Sequence, residues 1–379
     1  MVDDSLFLRR LISRMLGTSP MIEVIGTAQN GLEAIEKTWE LAPDCITMDV
    51  EMPVMNGLEA VGRIMRERPT PIIMLSTLTQ EGAEVTLKAL ALGAVDFLPK
   101  PVAKPYMGTL ELEKELQEKV LAYGTLRRDR LAAIPVPPSP PGTPTKATVH
   151  ATRPAQTPAH TPGQAAVQAQ AAPSLASSTA AVPPTSRALP PGGPQRLVVI
   201  GSSTGGPNAL QRIIPHLPAD FPSPLVVVQH MPVGFTRFLA ERLNTISALE
   251  VREAREGDDL YPGTVFLAPA GTHLRIDSLR RIHLTTEPAR HGVRPSVDIT
   301  LETAATVAGK GAVGVLLTGM GSDGAEGMGL IKRAGGATIA QDEDSCVVYG
   351  MPKAAVELGY VDRVVSLDGI AAAITGAVA

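Results

Sequence analysis

Only two cysteines occur in 379 residues, Cys45 and Cys346. Both sit in apolar runs far apart in the chain, so no disulfide framework holds the fold, and a reducing cytoplasm is the compartment this implies. No apolar run approaches the ~18 residues of a membrane span, and the first residues do not read as a signal peptide, so no membrane insertion is expected. An excess of one charge is also lacking. The 34 basic and 38 acidic residues leave a net charge of −4, which removes any bulk electrostatic case for nucleic-acid binding. Residues 135–194 contain no aspartate, glutamate or aromatic residue but 15 of the 34 prolines. Such a stretch cannot build a core and predicts a disordered, extended tether with polyproline II character. The rest of the chain is long enough for two domains with proper cores.

After the tether comes Leu197-Val-Val-Ile-Gly-Ser-Ser-Thr-Gly-Gly-Pro207, an apolar run breaking into a Gly/Ser turn. The run predicts a buried strand, and Pro207 suits the first turn of a helix. Gly201-Ser-Ser-Thr-Gly205 fits G-x-S-x-G with Ser203 at its centre, the pattern of a nucleophile on a tight strand-to-helix turn. A phosphate cradle in a nucleotide-binding fold is the competing reading of the same turn. Two further apolar runs, Leu225–His230 and Ala312–Thr318, lead to His230 and, a short turn later, to Asp323. In open α/β sheets ligands and catalytic groups gather at the carboxyl ends of strands. A serine, a histidine and an aspartate so delivered match nucleophile, base and orienting carboxylate, in an order unlike that of α/β-hydrolases. Each also has a plainer role: Ser203, Ser202 or Thr204 as a helix cap, Asp323 as an N-cap at Gly324, and His273, His283 or His291 as rivals to His230.

The blocks at 201–206, 229–236, 294–298 (Arg-Pro-Ser-Val-Asp), 317–324 and 346–352 resemble the catalytic domain of chemotaxis protein-glutamate methylesterases. That resemblance covers about residue 195 to the C-terminus. It implies a Rossmann-like domain with Ser203 as nucleophile, His230 as base and Asp323 as its orienting residue, and no cofactor for the esterase. Thr204 and the backbone near Met320 fall beside the oxyanion by the same carry-over. Ser202 stands where the family usually has alanine.

The N-terminal third alternates strand-like runs ending near Asp49, Ser76 and Lys100 with amphipathic stretches at roughly 5–16, 30–41, 57–67 and 80–92. Alternation of this kind predicts a parallel sheet with helices on both faces. Asp3, Asp4 and Asp49 would converge at its carboxyl edge, where mutual repulsion calls for a hard cation such as Mg2+. Lys100 adds a positive charge and Ser76 a hydroxyl, a setting suited to phosphoryl transfer onto Asp49. These positions resemble response-regulator receiver domains, over about residues 1–103. The resemblance implies Asp49 as phosphoacceptor, Asp3 and Asp4 as acidic-pocket residues, Ser76 and Lys100 as switch residues and Phe97 as the aromatic that moves with them.

The reading is therefore α/β: two doubly wound parallel-sheet domains, a flavodoxin-like receiver at 1–103 and a methylesterase domain at 195–379. Residues 104–194 join them, beginning with an amphipathic helix over 110–130 whose Leu112, Leu116 and Val120 either pack on the receiver or bridge to the second domain. Receivers place an apolar strand directly before the Asp-Asp pair, and here only Met1 and Val2 precede it. We expect a start several residues short, a receiver lacking its first strand, two inner strand edges without partners and poor stability. The resemblances imply hydrolysis of glutamate methyl esters, and deamidation of glutamine, on the cytoplasmic domains of methylated chemoreceptors, with a chemotaxis histidine kinase as phosphodonor. The alternative is a nucleotide-holding binding module gated by the receiver, against which stands the absence of G-x-G-x-x-G and of a suitably spaced acidic residue.

Overall fold

Short strands with every residue buried need cover on both faces, and the chain supplies helices to give it. The computed structural model describes residues 1–77, 79–100, 109–125 and 196–379, so the tether expected over 135–194 lies outside the described residues. In the N-terminal domain, α1 (Leu6–Gly17), α2 (Gly31–Leu41), β1 (Ile46–Asp49), α3 (Gly57–Glu67), β2 (Ile72–Ser76), α4 (Gln80–Ala91) and β3 (Asp96–Pro99) follow one another. The four helices match the expected stretches to within a residue or so. Asn30 and Asn56 cap α2 and α3 by accepting the Glu33 and Glu59 N–H groups, each at 2.9 Å. The strands pair in parallel in the order β1-β2-β3. Lys100 N–H donates to the Ser76 carbonyl at 2.7 Å just past this register, so Asp49, Ser76 and Lys100 end at one edge.

The place of the missing strand is partly filled. Val2 bridges in parallel to both Ala28 and Met48. Its N–H donates to Thr47 O and its carbonyl accepts from Asp49 N–H, while Asp3 N–H donates to Ala28 O. The edges are thus joined at their acidic end, which corrects the expectation of two partnerless inner edges. Residues 22–27 form no strand, and a cavity of about 380 Å3 lies against them and Ile46. Helix α5 (Thr109–Gly124) packs on α1, with Leu116 and Tyr123 buried and Leu112 and Val120 against the same core.

The C-terminal domain runs β4 (Leu197–Ser202), α6 (Gly206–Ile213), β5 (Leu225–Gln229), α7 (Phe235–Ile246), β6 (Glu250–Glu253) and β7 (Thr264–Leu267). The antiparallel pair β8 (His273–Ile276) and β9 (Ile282–Thr285) follows, then α8 (Val297–Ala308), β10 (Ala312–Leu316), α9 (Ala325–Arg333), β11 (Ala337–Gln341), α10 (Met351–Glu357), β12 (Arg363–Val365) and α11 (Leu367–Val378). Seven strands pair in parallel in the order β12-β11-β10-β4-β5-β7-β6. Alternate residues of β4 serve opposite faces, as period-two side chains must. Val198 and Ile200 join the core that holds Leu210, Leu239 and Ile374, whereas Leu197 and Val199 join the one that holds Leu301, Met328 and Ala355. The sheet is therefore doubly wound. Among the described residues no helix is long and apolar enough to cross a membrane.

The two domains share a packed contact. The Phe97 ring stacks on Phe235 at 4.8 Å between centroids and 8° between planes, both rings being buried. Asn208 Nδ2 donates to the Ala94 and Val95 carbonyls at 3.3 Å. The Tyr123 hydroxyl donates to Asp96 Oδ2 at 2.9 Å, and Leu121 and Ala122 of the same helix line a cavity with Ser203 and Pro207 of the second domain. Helix α5 thus both packs on its own domain and reaches the second, so the alternatives posed for it are not exclusive. Leu116→Ala should cost about 2–5 kcal/mol by leaving a cavity between α5 and the first domain. Calorimetric unfolding of the full chain would read this as a lowered first transition.

Candidate active site

Ser203, His230 and Asp323 lie beyond the carboxyl ends of β4, β5 and β10, three neighbouring strands with β4 in the middle. Gly201 pairs with Leu316 and Ser202 with Gln229, so the turns leaving these strands open side by side. Ser203 N–H donates to Thr318 O and His230 N–H to Ser202 O, each at 3.1 Å, which fixes the turns to one another.

Asp323 is buried, and every oxygen of its carboxylate is used. Oδ2 lies 2.9 Å from His230 Nε2 and accepts the Val297 N–H at 2.7 Å. Oδ1 accepts Ser296 Oγ–H at 2.7 Å and the Asp298 N–H at 3.1 Å. Two of these donors are the first N–H groups of α8, whose own N-cap Ser296 makes no side-chain cap. A carboxylate from 26 residues downstream caps the helix instead, at its positive end. Burial pushes the Asp323 pKa up, but the bonds from His230, Ser296 and Asp298 outweigh it and hold the group below the ordinary carboxylate value. A depressed folded pKa contributes stability above the unfolded value of ~3.9, and that stability is lost only as pH falls through the folded one. The N-cap role at α9 is not filled by Asp323: Gly324 occupies that position, in the left-handed region at φ 96°.

With Nε2 on Asp323, and His230 lining the cavity, no group among the described residues hydrogen-bonds His230 Nδ1 or Ser203 Oγ. Ser202 faces the other way. It is fully buried, and its hydroxyl donates to Gln229 Oε1 at 2.6 Å, while Gln229 Nε2 donates to the Ser203 and His230 carbonyls at 2.9 Å. Neither serine caps α6, whose N-cap is Gly205 at φ 80° without a side-chain bond. Thr204 is buried at the head of the same turn, its carbonyl accepting Thr318 Oγ1–H at 2.9 Å. Ser203, Thr204, His230, Met320 and Asp323 all line one cavity of about 920 Å3.

The other histidines are engaged elsewhere. His273 is buried between the Ser296 N–H and the Pro288 carbonyl. His283 sits on the surface between Asp277 and Glu256, which raise its pKa. His291 pairs with Asp298 at 2.8 Å and lines the same cavity as Ser203, its Nε2 4.0 Å from Asp323 Oδ1. His150 and His160 fall outside the described residues. The sequence reading gave no role to Gln229, Ser296 or Asp298 and took His291 only as a rival to His230; the Arg294-Pro-Ser-Val-Asp298 run carried a signal, a serine placed to start a helix, without the chemistry to interpret it.

The far wall of the cavity comes from the first domain, including Pro99, Lys114, Glu118 and Lys119. Lys119 is buried there, its ammonium 3.0 Å from both Asp96 Oδ2 and the Phe97 carbonyl.

At the edge of the first sheet, Asp3, Asp4 and Asp49 bring carboxylate oxygens within 4.8 Å of one another. Asp3 and Asp49 are buried, and among the described residues Asp3 Oδ2 has no hydrogen-bond partner while Asp49 Oδ2 faces the Lys100 ammonium. Lys100 Nζ lies 2.6 Å from Asp49 and 3.5 Å from Asp3. Burial raises the Asp49 pKa to about 6 despite Lys100, and Asp3 adds to the rise. Ser76 is buried one residue past the partner of Asp49, its hydroxyl bonded to the Gly82 carbonyl at 3.1 Å.

A family model described as CheB methylesterase matches residues 198–374, and one described as response regulator receiver domain matches residues 1–109. A protein-glutamate methylesterase/protein-glutamine glutaminase of Symbiobacterium thermophilum is 45% identical over 378 residues, covering 100% of this chain and 96% of its own. One from Pseudomonas aeruginosa is 46% identical over 369 residues, covering 97% and 96%. The chain belongs to this methylesterase/glutaminase family. Among solved structures, the Thermotoga maritima CheB methylesterase catalytic domain is 45% identical over 48% of this chain and 98% of its own, with a TM-score of 0.47.

Gly206 follows the turn so closely that a Cβ there would stand 1.9 Å from Gln229 Oε1. Gln229 is pinned by three hydrogen bonds and cannot swing away. Gly206→Ala should therefore cost about 1–3 kcal/mol by overpacking, and a serine-directed fluorophosphonate should label the variant more slowly than the parent chain.

Proposed function

We propose that this chain hydrolyses glutamate methyl esters, and deamidates glutamines, on the cytoplasmic domains of methylated chemoreceptors, by a Ser203–His230–Asp323 triad under control of phosphorylation at Asp49. The observation that carries the reading is the His230–Asp323 pair at 2.9 Å opening on the same cavity as Ser203, while Ser202 is turned into the protein. With Nε2–H directed at the ionised Asp323, the tautomer leaves a lone pair on Nδ1 to receive the Ser203 proton as Oγ attacks the carbonyl carbon. Unliganded enzymes commonly leave that serine–histidine bond open until substrate arrives. The imidazolium so formed is stabilised by Asp323 and gives its proton to the departing methanol, or to ammonia from a glutamine. Water, deprotonated by the same nitrogen, then releases the glutamate from the acyl-enzyme. The Thr204 and Met320 N–H groups have no acceptor among the described residues and are our candidates for the oxyanion.

We divide the chain into a receiver at 1–103, a connecting segment at 104–194 and a methylesterase domain at 195–379. The closely spaced, buried carboxylates of Asp3 and Asp49, with Asp3 Oδ2 lacking a hydrogen-bond partner, suit a hard cation, so Asp3, Asp4 and Asp49 would hold Mg2+, which supplies charge neutralisation for a phosphoryl group. Ser76 and Lys100 are the proposed switch residues around it, with a histidine kinase as phosphodonor in the cytoplasm. Phe97, three residues before Lys100, carries the change to the packed contact with Phe235. Because the receiver forms one wall of the cavity, docked receiver restricts a receptor helix, and phosphorylation shifts the population toward open molecules.

Ser203→Ala should abolish methanol release from methylated receptor while Ser202→Ala keeps most of it; the reverse result moves the nucleophile by one residue. A fragment starting at Gln195 should release methanol faster than the unphosphorylated full chain, and Asp49→Asn should remove stimulation by a phosphodonor. If neither holds, the receiver serves targeting and not gating. Mg2+ should raise the thermal midpoint of the receiver at pH 7.5, because an Asp49 pKa raised to about 6 makes its ionised form costly above that pH until a cation offsets the charge. That increment should shrink as pH falls below 6 and vanish in Asp49→Asn.

A further inference from the structure

Behind the His230–Asp323 pair stands a second imidazole–carboxylate pair that the reaction as described leaves unused. Asp298 is 1% exposed. Its Oδ2 lies 2.8 Å from His291 Nε2, with Arg290 Nε 3.9 Å away, and its Oδ1 accepts the Gly327 N–H at 2.7 Å. Through its main chain the same residue donates to Asp323 Oδ1. Asp298 thus touches two helix starts at once. Its N–H belongs to the first turn of α8, on which the Asp323 carboxylate rests. Its carboxylate holds the first turn of α9, the helix that begins two residues after Asp323. The approach is tight, since a Cβ at Gly327 would lie 2.5 Å from Leu301 Cβ and 3.2 Å from Asp298 Oδ1. His291 reaches this place in the left-handed region, at φ 54°, which an L residue seldom adopts without something to hold it. What its side chain gains there is the bond to Asp298.

We propose that Asp298 is a positioning residue for the reaction: it clamps the start of α9 to the start of α8 so that the Asp323 carboxylate meets His230, and His291 fixes the orientation of the clamp. Without the clamp the start of α9, and with it the turn carrying Asp323, loses a bond that fixes it against the start of α8. A displacement of about 1 Å at a catalytic group can cost on the order of 100-fold in rate with substrate binding untouched. The proposal rests on the triad reading above.

The test uses the full chain, phosphodonor-activated with Mg2+, and methanol release from methylated receptor. Asp298→Ala should lower kcat roughly 10- to 100-fold with KM unchanged. Asp298→Asn keeps a carbonyl oxygen for the Gly327 N–H and should stay within about threefold of the parent. His291→Ala, at a half-exposed position that keeps the fold, should lower kcat several-fold, again without moving KM. An Asp298→Asn as impaired as Asp298→Ala would show that charge and not the clamp matters, and would overturn the proposal. So would a loss confined to KM, or a His291→Ala with parental kcat, and these decide the matter even if Asp298→Ala fails to fold. Ser203→Ala, run alongside, separates the two levels: its survival as an active enzyme sinks the triad reading, whereas its inactivity with a parental His291→Ala sinks the clamp alone.

Discussion

One buried carboxylate organises the C-terminal domain. A group like Asp323, taken out of water, is tolerable only if each lone pair finds a donor. Here the donors are a histidine, a serine and the opening N–H groups of α8. Those N–H groups would themselves be orphans without an acceptor from outside the helix. Two liabilities, a desolvated anion and an uncapped helix, cancel each other. The His230 ring is then oriented by a carboxylate that has no other geometry open to it, and the β10–α9 connection must return to α8 for the fold to close. Stability and the proposed chemistry share the same hydrogen bonds, which hold His230 and Asp323 in place at one cavity.

A comparable economy appears at the other sheet. Asp49 is as buried as Asp323 but lacks its set of donors, having Lys100 2.6 Å from Oδ2 as its close counter-charge. The result is opposite: a carboxyl whose pKa rises to about 6 against one held low. The first is poised to receive a cation or a phosphoryl group, the second to keep its charge through a catalytic cycle. Environment, not residue type, separates the two aspartates.

Much of this was legible along the chain. Strand-end placement of Ser203, His230 and Asp323 followed from three apolar runs, and the receiver helices followed from amphipathic spacing. The motif singled out Ser203 over Ser202, but the physical reason was not legible, because it depends on Gln229, a residue 27 positions from Ser202 whose role exists only once β4 and β5 pair. Likewise Ser296 and Asp298 read as an ordinary helix start until Asp323 arrives from another strand. The stacking of Phe97 on Phe235 joins residues on either side of the tether, and no local pattern encodes it. The expectation of open inner edges failed for a different reason: one residue, Val2, offers an N–H and a carbonyl to two neighbours at once, and that suffices at the end where the acidic residues gather.

Helix α5 has a double allegiance. One side is sunk in the receiver core through Leu116 and Tyr123, and the other roofs the cavity above Ser203. A roof welded to its own domain cannot lift as a loop does, by local hinge motion in nanoseconds. It departs only with the whole receiver, breaking the aromatic stack and the Asn208 bonds together. Under the proposed gating, uncovering of the serine is a rigid-body undocking, a concerted event on the microsecond-to-millisecond scale, and its temperature dependence is that of separating an apolar interface and not that of flexing a backbone.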